Sequence, residues 1–336
     1  MNHSDNPTNI IPKILCIALI IVVGLLCISS AQGSIGELLN AGGTHAAPTL
    51  PINIPTVRPT PSYTSPNGQS ASAGETPTPS PTATARPVLG QLAHNGAAEE
   101  IAHHTESELE FIITRVTREK LVYYTVELAL TSPYQLLTAF AGNRITNRDY
   151  TSNIAQSNDA LLAINGDFCG YNSNGIIIRN GILYRDTAST RSLAVYDSSG
   201  NFSYIPEKDA DAQALIDAGV FHTFSFGPVL VENSQATSDE VIEEHFLSHR
   251  VREPRTAIGQ LGPLHYLILV VDGRQDASQG MLFSELQDTF VSYGVISAYN
   301  LDGGGSSTLY YNGEVINSPG VEGERKVSDI IFFKGA

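Results

Sequence analysis

The run Tyr299-Asn300-Leu301-Asp302-Gly303-Gly304-Gly305-Ser306-Ser307-Thr308 places one carboxylate, three glycines and three hydroxyls in succession. Glycine tolerates positive φ and lets a backbone close on a ligand. Successive N–H groups in such a turn form a concave anion site. The apolar stretch before it reads as a buried strand, and Leu309-Tyr310-Tyr311 after it is strand-like, so no helix opens here as it does in a nucleotide loop. The lysine of a Walker loop is missing. A nucleophile elbow fails too, because Thr308 stands where its second glycine belongs.

Two other apolar runs end in the same way. Residues 267–271 lead into Asp272-Gly273-Arg274, and 161–164 lead into Asn165-Gly166-Asp167. Any one such ending is ordinary turn chemistry. If the three share one sheet edge, they pool three carboxylates, an amide and an arginine.

These pieces carry a resemblance. Ile164-Asn165-Gly166-Asp167-Phe168, Ser225-Phe226-Gly227-Pro228, Pro254-Arg255-Thr256-Ala257-Ile258-Gly259, Val271-Asp272-Gly273-Arg274, Leu301 to Ser307 and Lys326-Val327-Ser328-Asp329-Ile330 occur in order across residues 160–332. The chain resembles the phosphodiester glycosidases, whose animal member removes an N-acetylglucosamine cap from mannose 6-phosphate. Asp167 departs from the pattern, standing where many relatives carry Gly in N-G-G-F.

The resemblance implies a hydrolase that breaks the sugar C1–O bond to a phosphodiester in cell-surface or extracellular glycans. A phosphate monoester leaves readily, so general-acid help matters less than in ordinary glycoside hydrolysis. The cationic sugar needs a carboxylate; Asp302 is assigned to it, as nucleophile, base or stabiliser, with Asp272 as the second carboxylate. The phosphate needs forked cations and N–H donors. Arg255 and Arg274 are expected as the catalytic pair, with Arg325 as a weaker candidate. Asn165, Asp167, Gly303, Gly304, Gly305, Ser306 and Ser307 complete the expected substrate contacts. The sequence names no certain cofactor; Ca²⁺ or Mg²⁺ is the candidate, with Asp167, Asp272, Asp302 and Asp329 as the oxygens that could hold it. Two other functions compete: a non-catalytic glycan-binding or wall-assembly module, and a serine hydrolase built on Ser306 or Ser307, which needs a histidine in reach.

The elements that must position these groups read as an α+β fold, a strand-rich mixed sheet with few helices, in one domain over 96–336. Strands are expected at 106–117, 121–130, 160–165, 193–196, 202–205, 228–231, 256–261, 265–271 and 330–333. Asn180-Gly181 and Asn312-Gly313 mark hairpin tips. Residues 149–158 suggest a short helix or loop, and 210–218 a helix closed by Gly219. Residues 284–293 form the clearest helix, with Ser284 and Gln287 as its capping box and Gly294 as its stop.

Ahead of that domain, 1–31 hold an apolar segment read as a signal anchor or cleaved signal peptide. Residues 32–95 form a Pro/Thr/Ser-rich disordered linker. Together they predict a membrane partner and an extracytoplasmic domain, in a bacterial protein. The net charge of −15 disfavours nucleic acid. Of three cysteines only Cys169 falls in the folded part, where a buried inert thiol is expected. His222 and His265 read as satisfied core histidines. His245 and His249 share a helical face like a zinc pair, though their charged surroundings favour a solvated stretch.

Overall fold

Strand spacing explains the first layer. In Leu109–Arg118, Leu109, Phe111 and Ile113 alternate onto one core, two residues apart. All ten residues of Leu121–Leu130 are buried, because both faces of this strand are covered. Val122, Tyr124, Val126, Leu128 and Leu130 fill one core, and Leu121 and Tyr123 fill the other. The computed structural model describes residues 86–239, 242, 250–320 and 323–335. The apolar segment, nearly all of the linker and the His245/His249 pair therefore lie outside the described residues.

The α+β, strand-rich expectation holds, with the strands divided among four sheets. The largest runs Ala97–Thr105, Leu109–Arg118, Leu121–Leu130, His265–Val271, Arg255–Gly262, Ser297–Asn300, Val229–Glu232, Gln235–Ala236. A second runs Glu314–Val315, Leu309–Tyr311, Leu162–Asn165, Asp329–Phe333, Leu137–Phe140. A three-stranded sheet (Val220–Phe224, Ser192–Asp197, Phe202–Pro206) and the Ile177–Arg179/Ile182–Arg185 hairpin complete them. Every strand pair among the described residues is antiparallel. At both hairpin tips the predicted Asn-Gly pair takes positive φ, 51° and 75° at Asn180-Gly181 and 48° and 96° at Asn312-Gly313. That geometry matches the strand twist.

The helix Phe283–Ser292 covers one face of the large sheet, packing Phe283, Leu286 and Phe290 with Ala257, Leu267 and Leu269. It starts earlier than the capping-box reading requires. Leu282 precedes it, and the Glu285 carboxylate accepts from the Leu282 N–H. Ser284 lies inside the helix, and the Gln287 amide is buried, donating to Leu230 O and Thr237 O. The sheet's other face shares a core with Leu162, Ile164 and Ile331 of the second sheet and Tyr196 and Phe224 of the third. The short helix Thr151–Ser157 packs Ile154 and Ala155 on the outer face of the second sheet.

Sequence reading missed Ala97–Thr105, Leu137–Phe140 and Val220–Phe224. Ala97–Thr105 is an exposed edge strand without an apolar stripe, held by its ladder to Leu109–Arg118. Leu137–Phe140 has only four residues, paired with Asp329–Phe333.

One side chain ties the two larger sheets together. Asn165 ends its strand fully buried, and its Nδ2 donates to Asp302 O at 2.6 Å. Its Oδ1 accepts from Thr256 Oγ1 at 2.8 Å and from Thr308 N at 3.2 Å. Asn165→Ala orphans three buried partners, each costing about 1–3 kcal/mol. Urea unfolding is expected to show a loss of roughly 3 kcal/mol or more; a loss under about 1 kcal/mol would contradict the clamp.

Candidate functional site

Asp272 and Asp302 follow strands that both pair antiparallel with Arg255–Gly262, so the two endings share one edge of the large sheet. The Asn165 ending joins them from the second sheet, where Gly166 O accepts from Asp302 N at 3.3 Å. The Asn165 and Asp302 endings therefore touch, and the Asp272 ending lies on the same edge of the large sheet.

Gly303 and Gly304, which follow Asp302, are constrained by sterics and backbone conformation. A Cβ on Gly303 would lie 2.8 Å from Pro254 O, and Gly304 takes φ +62°. Gly166 is tighter still, since a Cβ there would stand 2.5 Å from Asp329 Oδ1. The turn is held by Gly304 N donating to Pro254 O and Ser307 N donating to Gly304 O.

At the head of this turn Asp302 is buried, and both its oxygens accept from Arg325 Nη2, at 3.2 and 3.1 Å. Gly303 N adds a third bond to Oδ1. Burial raises the Asp302 pKa above the usual carboxylate range, and Arg325 opposes that shift. The Arg325 side chain remains 45% exposed, so it can meet a ligand while holding Asp302. Arg325 Nε also donates to Ser306 Oγ at 2.9 Å. On the turn's other side, Arg274 Nη2 lies 3.3 Å from where a Gly304 Cβ would stand. Arg274 is paired with Glu253 and is 56% exposed. Two open guanidiniums thus flank Gly303–Gly305, an arrangement suited to a phosphate.

Asp272 reaches the far end of the same turn indirectly. Its Oδ1 accepts from Asn317 Nδ2 at 3.0 Å and Ser318 N at 2.9 Å. Asn317 Nδ2 also donates to Ser307 O at 3.0 Å. Burial pushes Asp272 up to about 6, against these hydrogen bonds and the Arg115 charge.

Several expected site residues have structural partners instead. Arg255 lies one residue before Thr256, so it projects to the opposite face of the sheet. There it sits 3.8 Å over the Phe283 ring and donates to Met281 O and Val251 O. The packed, buried guanidinium is committed to that face, and the arginine that bonds Asp302 is Arg325. Asn165 is the clamp described above, with its amide used up inside the protein. Ser307 is fully buried, as is Ser306, and His222 and His265 bond elsewhere: His222 to Leu136 O, His265 to Glu127. Neither serine is paired with a histidine among the described hydrogen bonds.

A family model for phosphodiester glycosidases matches residues 158–334. The chain belongs to the phosphodiester glycosidase family. Among curated proteins it is 30% identical over 237 residues to the SPbeta prophage-derived uncharacterized protein YomE of Bacillus subtilis (strain 168), covering 66% of this chain and 36% of that one. It is 32% identical over 105 residues to the N-acetylglucosamine-1-phosphodiester alpha-N-acetylglucosaminidase of Bos taurus, covering 30% of this chain and 20% of that protein. The chain thus spans about a third and a fifth of these relatives' lengths. The fold is similar to the zebrafish N-acetylglucosamine-1-phosphodiester alpha-N-acetylglucosaminidase catalytic domain, auto-inhibited by its pro-peptide. The TM-score is 0.56 at 21% identity, over 71% of this chain and 88% of that one.

In this member of the family the remaining two carboxylates, Asp167 and Asp329, belong to a buried ion cluster. Arg179 Nη2 lies 3.1 Å from Asp167 Oδ2 and 2.9 Å from Asp329 Oδ2, with all three side chains at most 2% exposed. Asp167 also accepts from Cys169 N and Ser225 N, so it is not open to substrate. The four carboxylates proposed for one metal are therefore split. Asp167 and Asp329 surround Arg179, Asp302 holds Arg325, and Asp272 holds Asn317. The Asp167/Cys169/Asp329 group could approach a cation in distance, but the Arg179 guanidinium already lies between its two carboxylates. Cys169 is buried, and burial with the neighbouring carboxylates raises its thiol pKa, as expected of an inert thiol. Arg179 carried no sequence signal beyond its place before the Asn180-Gly181 tip, and Asn317 none.

Burial raises Asp329 to about 7, with Arg179 opposing and Asp167 reinforcing. The folded protein therefore keeps a proton that the unfolded chain has lost by pH 5. Stability from this group is complete at low pH and disappears as pH rises through 7. Urea unfolding at pH 6 and 7 is expected to show wild type losing roughly 1 kcal/mol more than Asp329→Asn over that interval. Parallel curves would remove the assignment.

Proposed function

We propose that this chain hydrolyses sugar-1-phosphodiesters in cell-surface or extracellular glycans. The observation that carries the reading is the Asp302–Arg325 pair, with Arg274 across Gly303–Gly305. A lone carboxylate would repel the substrate's phosphate. Arg325 bridges the conflict, because part of its guanidinium donates to Asp302 while the exposed remainder can donate to phosphate oxygens.

In the reaction the sugar C1–O bond breaks and its electron pair leaves with the phosphate monoester. Water supplies hydroxyl to C1 and a proton to the departing phosphate. Positive charge that develops on the sugar ring is stabilised by Asp302, and negative charge on the leaving group by Arg325 and Arg274. Burial makes Asp302 a stronger base than a solvated carboxylate, while Arg325 favours its ionised form. Asp272, one step removed, orients the turn through Asn317. The apolar residues 14–28 and the Pro-rich stretch after them support the proposal that the domain acts outside the cell membrane.

Release of phosphate monoester from a synthetic N-acetylglucosamine-1-phosphodiester tests this directly. Asp302→Asn is expected to lower kcat by about 10²–10³-fold, the scale of losing one preorganised electrostatic group. Arg325→Ala is expected to raise KM about tenfold or more through the lost phosphate contact, and to lower kcat as Asp302 loses its partner. Unchanged turnover in Asp302→Asn would sink the assignment.

A further inference from the structure

Beside the Asp302 turn stands an aromatic wall that none of the assignments above uses. Phe168 follows Asp167 directly, two residues beyond the Gly166 carbonyl that accepts from Asp302 N. Its ring stacks on Tyr171 with centroids 4.2 Å apart and planes 9° off parallel. Phe226 meets Phe168 at 6.3 Å and 68°. The Arg148 guanidinium lies 3.9 Å from the Tyr171 ring centroid, and its Nη2 donates to Gly170 O at 2.8 Å. Tyr171 Oη donates to Lys326 O at 2.7 Å, tying the stack to the residue after Arg325.

Tyr171 is 38% exposed and Phe168 is half-buried. Aromatic surface left in contact with water, yet locked by stacking, a cation and a hydroxyl bond, is pre-ordered for a ligand. The stack is joined to both site segments: the chain runs from Gly166, whose carbonyl accepts from Asp302 N, into Phe168, and Tyr171 Oη bonds Lys326 next to Arg325. The sugar of a ligand whose phosphate bonds Arg325 can turn onto this stack. The apolar C–H face of a pyranose complements an aromatic ring, and burying both removes apolar surface from water.

We propose that Phe168, braced by Tyr171 and Arg148, is the wall on which the sugar ring of a sugar-1-phosphate lies. This rests on the function proposed above and names its sugar subsite. Phe168 touches the sugar; Tyr171 and Arg148 are positioning residues that keep the ring upright. The wall selects for a pyranose with an unobstructed C–H face and leaves phosphate affinity to the arginines.

The test uses the full chain and two probes, N-acetylglucosamine 1-phosphate and inorganic phosphate, read by saturation-transfer NMR and by competitive titration. Wild type is expected to saturate the sugar-ring protons and to bind the sugar phosphate about tenfold tighter than inorganic phosphate, the scale of one stacking contact. Phe168→Leu keeps apolar bulk and removes the ring. It should erase that tenfold preference while inorganic phosphate binding stays within about twofold of wild type. Tyr171→Phe should retain the preference, and Tyr171→Ala should lose most of it. In turnover the same Phe168→Leu change should raise KM about tenfold with little change in kcat. Equal affinity of wild type for the two probes, or an unchanged preference in Phe168→Leu, overturns the wall. The two readings separate cleanly: sugar binding through Phe168 without turnover leaves the wall and removes hydrolysis. Turnover with a KM indifferent to Phe168→Leu leaves hydrolysis and removes the wall.

Discussion

The structure depends on one buried amide. Asn165 has no water to bond with, so its donors and acceptor must find protein partners. It finds them in Asp302 O, Thr256 Oγ1 and Thr308 N, on two separate segments of chain. The two larger sheets cannot slide past one another without breaking those bonds together. The glycine turn is caught between them and inherits their rigidity. The fold's stability and the orientation of Asp302 are therefore a single constraint.

Charge placement follows from exposure. The chain is acidic overall, at −15, yet each buried carboxylate near the turn has a specific partner. Arg179 and Arg325 each hold buried carboxylates at similar distances, but their environments differ. Arg179 is 2% exposed and surrounded by protein, so removing its carboxylate partners would leave an uncompensated buried charge. Arg325 is open to solvent and can add a ligand without abandoning Asp302. The first pair can only brace; the second can also bind. That distinction separates the two clusters more firmly than residue identity does.

It also explains what was legible in the sequence. Asp302-Gly303-Gly304-Gly305 announced itself because its chemistry is local: a strand end, then backbone conformations that only glycine tolerates easily. The Asn-Gly tips were legible for the same reason. Arg255 was misassigned because a strand alternates faces, and Thr256 rather than Arg255 turned out to face Asn165. Motif membership does not say which face a residue takes. Asp167 looked open because its partners, Arg179 and the Ser225 N–H, come from the Asn180-Gly181 hairpin and from beyond the strand Val220–Phe224. The helix cap slipped by two residues because Glu285 could serve the turn before it as well as Gln287 could serve Ser284 on paper. Pairing over such sequence separations has no local signature.

The steric limits on the glycines carry the argument one step further. Adding a Cβ to Gly303 would push on Pro254 O, the acceptor that fixes Gly304 N. Adding one to Gly304 would crowd Arg274 as well as strain its positive φ. A substitution meant to stiffen this turn would therefore displace either the sheet junction or the guanidinium beside it. Stabilising glycine replacement, useful where backbone freedom is merely a cost, has no purchase here. Gly303 and Gly304 are kept because the Pro254 carbonyl and the Arg274 guanidinium approach where a Cβ would stand, and that closeness keeps a cation beside the turn that Asp302 heads.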